Sequence, residues 1–452
     1  MSTTVESLSP KRQALVTAAS FGGMQALIAV SAFVRIPFVV TALGTGGYGL
    51  NTLVGNTAPV LLATAAGLRI ASRTIVAEQI GAGSPALIDL TKRTMRRIGW
   101  RALLWQLLLT LPLSWILPFY LWFHGTGITS MTQLQVSMFL ASAMCGFAIV
   151  GAVAWGGLEA HGRTALVNGF GAVVTVAGLV LTVVAVQFTK SFVVFAVLNT
   201  FTTVGPLYLC PLFYRFERRR FNTEPKLRRA ALKLSFLGTI QSVPPLATRA
   251  LDPFVIGAVL GPIAVSSYGV AQRLSLVSTM LPVALVPVVG ARLARSRGSR
   301  SGLTRKSVFA IAAGFGAVSL ILGAILCGIG PWMVHLLARG NFGADRGVFV
   351  AFLILGVTFS VQLGLSSAVT GPGAMRFSVY ADTVCMAINV ALSIWWVHLF
   401  GIVGPIYGSA VGTGLDAVLW IVMLLLRSDY VLQVHAPIDA SPIDEIESGS
   451  VG

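Results

Sequence analysis

An all-α integral membrane protein, with twelve transmembrane helices in two six-helix bundles related by a pseudo-two-fold axis along the membrane normal, is the fold class that the sequence predicts. Three observations predict it. Across 452 residues, 55% of the side chains are hydrophobic and only 10% are charged, whereas a soluble domain is about 25% charged. Twelve apolar stretches follow one another with little chain left for a soluble domain. A sequence pattern near residue 37 returns near residue 253, an offset of about 216 to 223 residues.

Taken in order, residues 1–13 form a short N-terminal tail carrying Lys11 and Arg12. The apolar stretch behind them runs far past the about 15 residues of a signal-peptide core and ends in no small-residue cleavage pattern, so it reads as a retained first span. The first six spans are expected at 14–43, 47–68, 102–123, 131–158, 165–187 and 191–214. A basic linker, 215–233, contains Arg218, Arg219 and Arg220. The second six are expected at 234–260, 265–290, 308–329, 348–370, 378–399 and 404–426, each about the length needed to cross a hydrocarbon core. The bundles are therefore 14–214 and 234–426. Glycines between 44 and 47 and between 401 and 404 read as tight hairpins. The tail at 427–452, with Asp439, Asp444, Glu445 and Glu447, reads as a disordered cytoplasmic end.

The formal charge of +17 is high for so apolar a chain. Sorted by position, 26 of the 32 basic residues fall on one side of the expected topology, three (Lys190, Arg339, Arg346) on the other, and three within spans. Lys and Arg near span ends are retained in the cytoplasm, so both termini are expected there, and an even span count is required. No basic arm or zinc spacing points to nucleic acid.

The repeat pairs PFVVTALGTGGYGL from Pro37 with PFVIGAVLGPIAVSSYGV from Pro253. Leu43-Gly44 matches Leu260-Gly261, and Tyr48-Gly49 matches Tyr268-Gly269. With six spans per half, the halves share one orientation, as in transporters built from parallel repeats. Prolines inside the expected spans (Pro37, Pro59, Pro112, Pro118, Pro206, Pro211, Pro244, Pro245, Pro253, Pro282 and Pro287) should kink helices that line an interior.

Six charges fall within the spans: Arg35, Arg249, Arg273, Asp252, Asp382 and Asp416. A charge at a helix centre costs roughly 2.5–3.5 kcal/mol on insertion scales, so such residues usually face a cavity and carry function. For the arginines, the functional reading is a cationic lumen holding an anionic substrate, because the guanidinium fork matches phosphate oxygens. The plainer reading pairs Arg249 with Asp252 at i,i+3, lets Arg35 reach toward the interface, and sets Arg273 near a span end. Asp416, flanked by Gly412 and Gly414, is a candidate for a coupling proton or sodium ion, or for a hydrogen-bonded structural role; Asp252 and Asp382 are candidates for ion coupling or charge pairing. The four cysteines form no CxxC pair and read as small buried hydrophobes. The five histidines are scattered, and no nucleophile elbow, metalloprotease pattern or phosphate-binding loop is present. No catalytic site, metal or cofactor is expected, nor is an ATP-driven pump.

RIPFVVTALGTGGYGL from Arg35, LDPFVIGAVLGPIAVSSYGVAQRLS from Leu251, GLEAHGRTALVN from Gly157 and GIVGPIYGSAVGTGL from Gly401 together resemble the lipid-linked oligosaccharide flippases of polysaccharide biosynthesis. These belong to the superfamily of multidrug, oligosaccharidyl-lipid and polysaccharide exporters, and the resemblance runs to about Arg427. It implies a V-shaped, alternating-access transporter in a bacterial inner membrane, moving a polyprenyl-pyrophosphate glycan outward. It also implies a monomer working among membrane lipids beside polysaccharide polymerase and glycosyltransferases. Arg35 and Arg249, and with them Arg273, are the positions that fit recognition of the pyrophosphate. The competitors are a cation-coupled multidrug or toxin exporter, whose first helix commonly carries an acidic residue, whereas the first span here has Arg35 and no Asp or Glu, with Asp252 in span seven keeping that option open, and a lipid II flippase, typically of fourteen spans.

Overall fold

The computed structural model describes residues 10–81, 85–116, 130–214, 225–297, 305–367 and 372–426. The acidic tail, most of the basic linker and Pro118 lie outside them. All the described secondary structure is helical: α1 (Pro10–Leu61), α2 (Ala63–Gly81), α3 (Pro85–Ile116), α4 (Met131–Ala160), α5 (Thr164–Phe188), α6 (Phe192–Phe213), α7 (Pro225–Leu260), α8 (Pro262–Arg297), α9 (Arg305–Leu337), α10 (Arg346–Ser367), α11 (Pro372–Phe400) and α12 (Val403–Leu426). Five of these begin on proline, which fits a first helical position because its missing N–H has no acceptor there.

The helices make twelve passes, but not one pass per helix. α1 holds the first span and half of the second, reversing at Gly44, whose φ of +70° lies in the left-handed region that an L side chain resists. α2 completes the second span after a break at Leu62, three residues beyond Pro59. At the repeat position Gly261, φ is +84°. The two glycines aligned by sequence thus make the same turn in each half. Gly401 turns α11 into α12 in the same way, with φ of +59°.

Among the described residues, nine segments are long and apolar enough to cross a membrane, the first of which contains both passes of α1 and α2. α3 and α7 begin well before the apolar stretches expected at 102 and 234, because Lys92, Arg93, Arg96, Arg97, Arg228, Arg229 and Lys233 are good helix formers. The outer surface is apolar, as lipid contact requires: Leu104, Trp105, Leu108 and Trp115 on α3 are all more than half exposed.

α1 to α6 pack among themselves, and α7 to α12 do likewise. The two bundles meet along α1 with α8 and along α2 with α7. In lipid, apolar burial offers little drive for helix association, and small residues that allow close approach take over. Both seams follow that rule. Near the hairpin turns, the Ser266 hydroxyl donates to the Thr45 carbonyl at 2.5 Å, and a Cβ on Gly49 would stand 1.9 Å from the Pro262 carbonyl oxygen. At the other seam, Gly67 faces Ser235, Gly238 and Thr239. Gly44 and Gly67 are separated by about 35 Å of helix at 1.5 Å per residue, and between them Thr52 packs on Gly269 and Leu53 on Gly257, so the contact between the bundles continues.

One ion pair ties α2 to α4. Arg69 donates through Nε and Nη2 to the two carboxylate oxygens of Glu159, while its guanidinium lies 4.5 Å from the centre of the Trp155 ring. The Trp155 indole also donates to Glu159 at 3.0 Å.

Candidate functional site

Arg35 lies about 14 Å of helix before the Gly44 turn and Arg273 about 18 Å after the Gly261 turn, which sets both at comparable depths from the hairpin turns. Arg273 is three turns into α8, not at its end. Arg35 donates from Nη2 to the Asn199 side-chain oxygen at 2.6 Å and from Nη1 to the Thr202 hydroxyl at 3.3 Å. Asn199 in turn donates to the Asn51 carbonyl at 3.3 Å, so one amide joins both arms of α1 to α6. Arg273 crosses to the other bundle and donates to the Tyr48 hydroxyl at 3.0 Å, with its guanidinium 5.6 Å from the centre of that ring. Tyr48 is 1% exposed and stacks on Phe342.

The structure therefore brings Arg35 and Arg273 into electrostatic range of each other, with Tyr48 acting on the same charge. Neither arginine pairs with a carboxylate among the described residues. Their partners are a neutral amide and hydroxyls, which fix the forks without cancelling the charge. A guanidinium has five N–H donors, and the bonds described use two from Arg35 and one from Arg273. What remains is suited to an anion. The Arg249 side chain lies outside the described residues, though its position on α7 is set.

The acids gather elsewhere. A cavity inside the C-terminal bundle, with about 890 Å³ of empty space including its open side, is lined by Asp252, Asp382 and Asp416 together with Gln272, Gln362 and Ser409. Asp252, 2% exposed, receives hydrogen bonds from Ser409 at 2.8 Å, Tyr268 at 3.3 Å and Ser393 at 3.4 Å. Asp252 is thus bonded from α8, α11 and α12; the Arg249 side chain of the expected i,i+3 pair lies outside the described residues. Ser393 and Ser409 also approach the Asn389 amide oxygen, at 3.0 and 3.2 Å, and Ser393 lies 3.4 Å from the Pro405 carbonyl. Each serine has one hydrogen for several acceptors. Oxygens of this kind suit a hard cation better than a thiolate-seeking metal, and no group of three or more His, Cys, Asp or Glu ligands occurs among the described residues.

Two helical turns away, Ser378 donates to Asp382 at 2.8 Å and Gln362 donates to Asp416 at 2.7 Å. Asp382 and Asp416 line the same cavity.

Sequence reasoning singled out the in-span charges but not what holds them. Tyr48 and Tyr268 stood in the repeat as pattern markers. Their hydroxyls prove to serve opposite charges, Arg273 in one case and Asp252 in the other. Asn199 and Asn389 carry a signal that could have found them: a lone amide inside an apolar run has to be satisfied by something in the protein.

Compared with known proteins, the chain matches no protein-family profile and no curated protein. Solved structures do match. An inward-facing multidrug resistance MATE family transporter of the MOP superfamily superposes with a TM-score of 0.69 at 16% identity, over 92% of this chain and 98% of that one. An outward-facing form of such a transporter gives 0.67 at 15% identity over 93% and 96%. The fold is that of the MATE transporters of the MOP superfamily. A third MATE-fold neighbour, a MOP superfamily transporter from Pyrococcus furiosus Vc1, gives 0.65 at 14% identity over 94% and 97%, and its description states that reversed polarity of its binding pocket suggests a different function. Proteins described with this fold are carriers, not enzymes.

Proposed function

We propose that this protein is an alternating-access flippase that takes the pyrophosphate head of a polyprenyl-linked oligosaccharide between its two bundles and moves it from the inner to the outer leaflet. One observation carries the reading: Arg35 and Arg273, from opposite bundles, hold fixed positive charge that no carboxylate among the described residues neutralises. Two like charges held inside a membrane protein without a carboxylate are unfavourable alone; a diphosphate bridging them relieves the repulsion and gains charge-assisted hydrogen bonds. Arg249, on α7, is proposed as a third contact. The substrate's polyprenyl tail stays among membrane lipids, and the glycan is supplied and consumed by glycosyltransferases and a polysaccharide polymerase. The proposed setting is a bacterial inner membrane, with both termini cytoplasmic and the protein a monomer.

The acid-lined cavity favours a second reading, a cation-coupled exporter of cationic compounds. Proteoliposomes loaded with lipid-linked oligosaccharide separate the two. The flippase reading expects Arg35→Ala, Arg249→Ala and Arg273→Ala, singly and above all Arg35→Ala with Arg273→Ala, to lower glycan delivery to the far leaflet at unchanged protein level. Unchanged delivery, or export of organic cations in its place, would remove it.

A further inference from the structure

The short loop between α9 and α10 reaches from one bundle to the other. At the end of α9, Arg339 donates from Nη1 to the Thr41 hydroxyl of α1 at 2.9 Å. That hydroxyl donates its own proton to the Pro37 carbonyl at 2.7 Å, so it meets the guanidinium as an acceptor. Three residues on, the Phe342 ring stacks on Tyr48 of α1, with centroids 6.4 Å apart and planes 21° from parallel, and it packs on an apolar core to which both bundles contribute. The backbone bends to make the first contact. α9 closes with the Gly340 N–H on the His335 carbonyl at 2.9 Å and the Arg339 N–H on the Leu336 carbonyl at 3.1 Å, a pairing that needs a left-handed residue just past the helix. Here that residue is Arg339, at φ +51°, although a glycine, which takes this conformation without steric cost, is next in the chain. No other non-glycine residue among those described has a positive φ. A strained conformation persists only where its surroundings hold it, and the bond to Thr41 is such a hold.

We propose that residues 338–345 form a strap that holds the two bundles together at the end carrying the Gly44 and Gly261 turns, and that Tyr48 links this strap to Arg273. Tyr48 has two partners at once: its hydroxyl accepts from Arg273 at 3.0 Å, and its ring is the face on which Phe342 rests. The phenol is rigid, so a hydroxyl that follows the guanidinium turns that face with it. The strap grips α1 at two points of different character. The Arg339 bond to Thr41 is exposed, and water replaces such a bond at small net cost. The Phe342 stack is made with a ring only 1% exposed, so it is the firmer hold. Loosened at Tyr48, the strap keeps only its solvent-exposed bond. That an anion drawing on Arg273 is what loosens Tyr48 rests on the flippase reading above; the strap and its link to Arg273 do not.

Hydrogen–deuterium exchange read by mass spectrometry, on the full-length protein in lipid nanodiscs, reports opening of residues 338–345. Thr41→Val removes the acceptor without touching the loop and should speed exchange there several-fold. Arg339→Gly separates a strap from a helix cap. Glycine suits a left-handed φ, so a residue that merely ends α9 would give slower or unchanged exchange, whereas the strap predicts faster exchange. Arg273→Ala and Tyr48→Phe should each speed exchange in the loop with no ligand present, and the double variant no more than either alone. Helix content and size-exclusion behaviour report folding; Thr41→Val and Arg339→Gly stand in for each other, as do Arg273→Ala and Tyr48→Phe. Unchanged exchange in Thr41→Val, or unchanged or slower exchange in Arg339→Gly, overturns the strap. Unchanged exchange in Arg273→Ala or Tyr48→Phe overturns its link to Arg273. Inorganic pyrophosphate then tests the trigger: it should speed exchange in the wild type and not in Tyr48→Phe. Pyrophosphate that binds by calorimetry yet leaves the loop unchanged contradicts release by the anion. Pyrophosphate that does not bind counts against the flippase reading, while the ligand-free variants still decide the strap.

Discussion

Arg273 of α8 donates a hydrogen bond to the Tyr48 hydroxyl of α1 at 3.0 Å, linking the two bundles by a cation and a phenol where the repeat places matching tyrosines. In the other half Tyr268 gives its hydroxyl to Asp252. The same residue at equivalent positions thus orients a cation across the contact between the bundles and an anion kept within one bundle.

Tyr48→Phe keeps the ring and its stack on Phe342 but removes the acceptor for Arg273. A hydrogen bond to a charged group contributes roughly 1.5–3 kcal/mol, and part of that is recovered if the guanidinium finds water. The expected outcome is a folded protein with reduced flipping and a change in thermal stability smaller than for Arg273→Ala. Melting in detergent alongside proteoliposome flipping checks both.

Arg35→Lys separates charge from geometry. Lysine keeps the positive charge but cannot hold the Asn199 and Thr202 bonds with a rigid fork. Affinity for a soluble diphosphate headgroup analogue should fall about 10-fold for Arg35→Lys and further for Arg35→Ala, from the same range for charged hydrogen bonds. Isothermal titration calorimetry reads the difference.

Gly49→Leu should prevent closure of the seam at the hairpin end, because even a Cβ there meets the Pro262 carbonyl. In a background lacking the four free cysteines, Thr45→Cys with Ser266→Cys is expected to cross-link readily with a short thiol reagent. Adding Gly49→Leu should suppress that cross-link while leaving expression intact. Gel mobility of the cross-linked species reads the result.

Much of the architecture was legible in the sequence. Hydropathy located the passes, and the Gly44 and Gly261 turns followed from an alignment of two short segments. Arg35 and Asp416 stood out because a charge in an apolar run is costly. Other features could not be read, since they join residues far apart in the chain: Arg35 to Asn199 over 164 positions, Ser409 to Asp252 over 157. Helix starts also escaped. Hydropathy follows the lipid, while α3 and α7 extend beyond it on basic residues that favour helix without favouring membrane.

Asp252→Ala tests whether that carboxylate is structural. It removes the carboxylate acceptor of the buried Ser393, Ser409 and Tyr268 hydroxyls and leaves the two serines to share the Asn389 amide oxygen. Unsatisfied buried groups cost about 1–3 kcal/mol each, so a clear loss of thermal stability is expected, with Asp252→Asn intermediate because one amide oxygen still accepts. Tryptophan fluorescence during melting checks the order.

The central claim is that fixed positive charge from both bundles binds one diphosphate. Native mass spectrometry of polyprenyl pyrophosphate bound to the purified protein tests it most directly, with polyprenyl monophosphate as the comparison. The account predicts binding of the pyrophosphate that weakens by at least about 10-fold in the Arg35→Ala, Arg273→Ala double variant, with a smaller change for the monophosphate. Equal binding of pyrophosphate by the wild type and the double variant would contradict it.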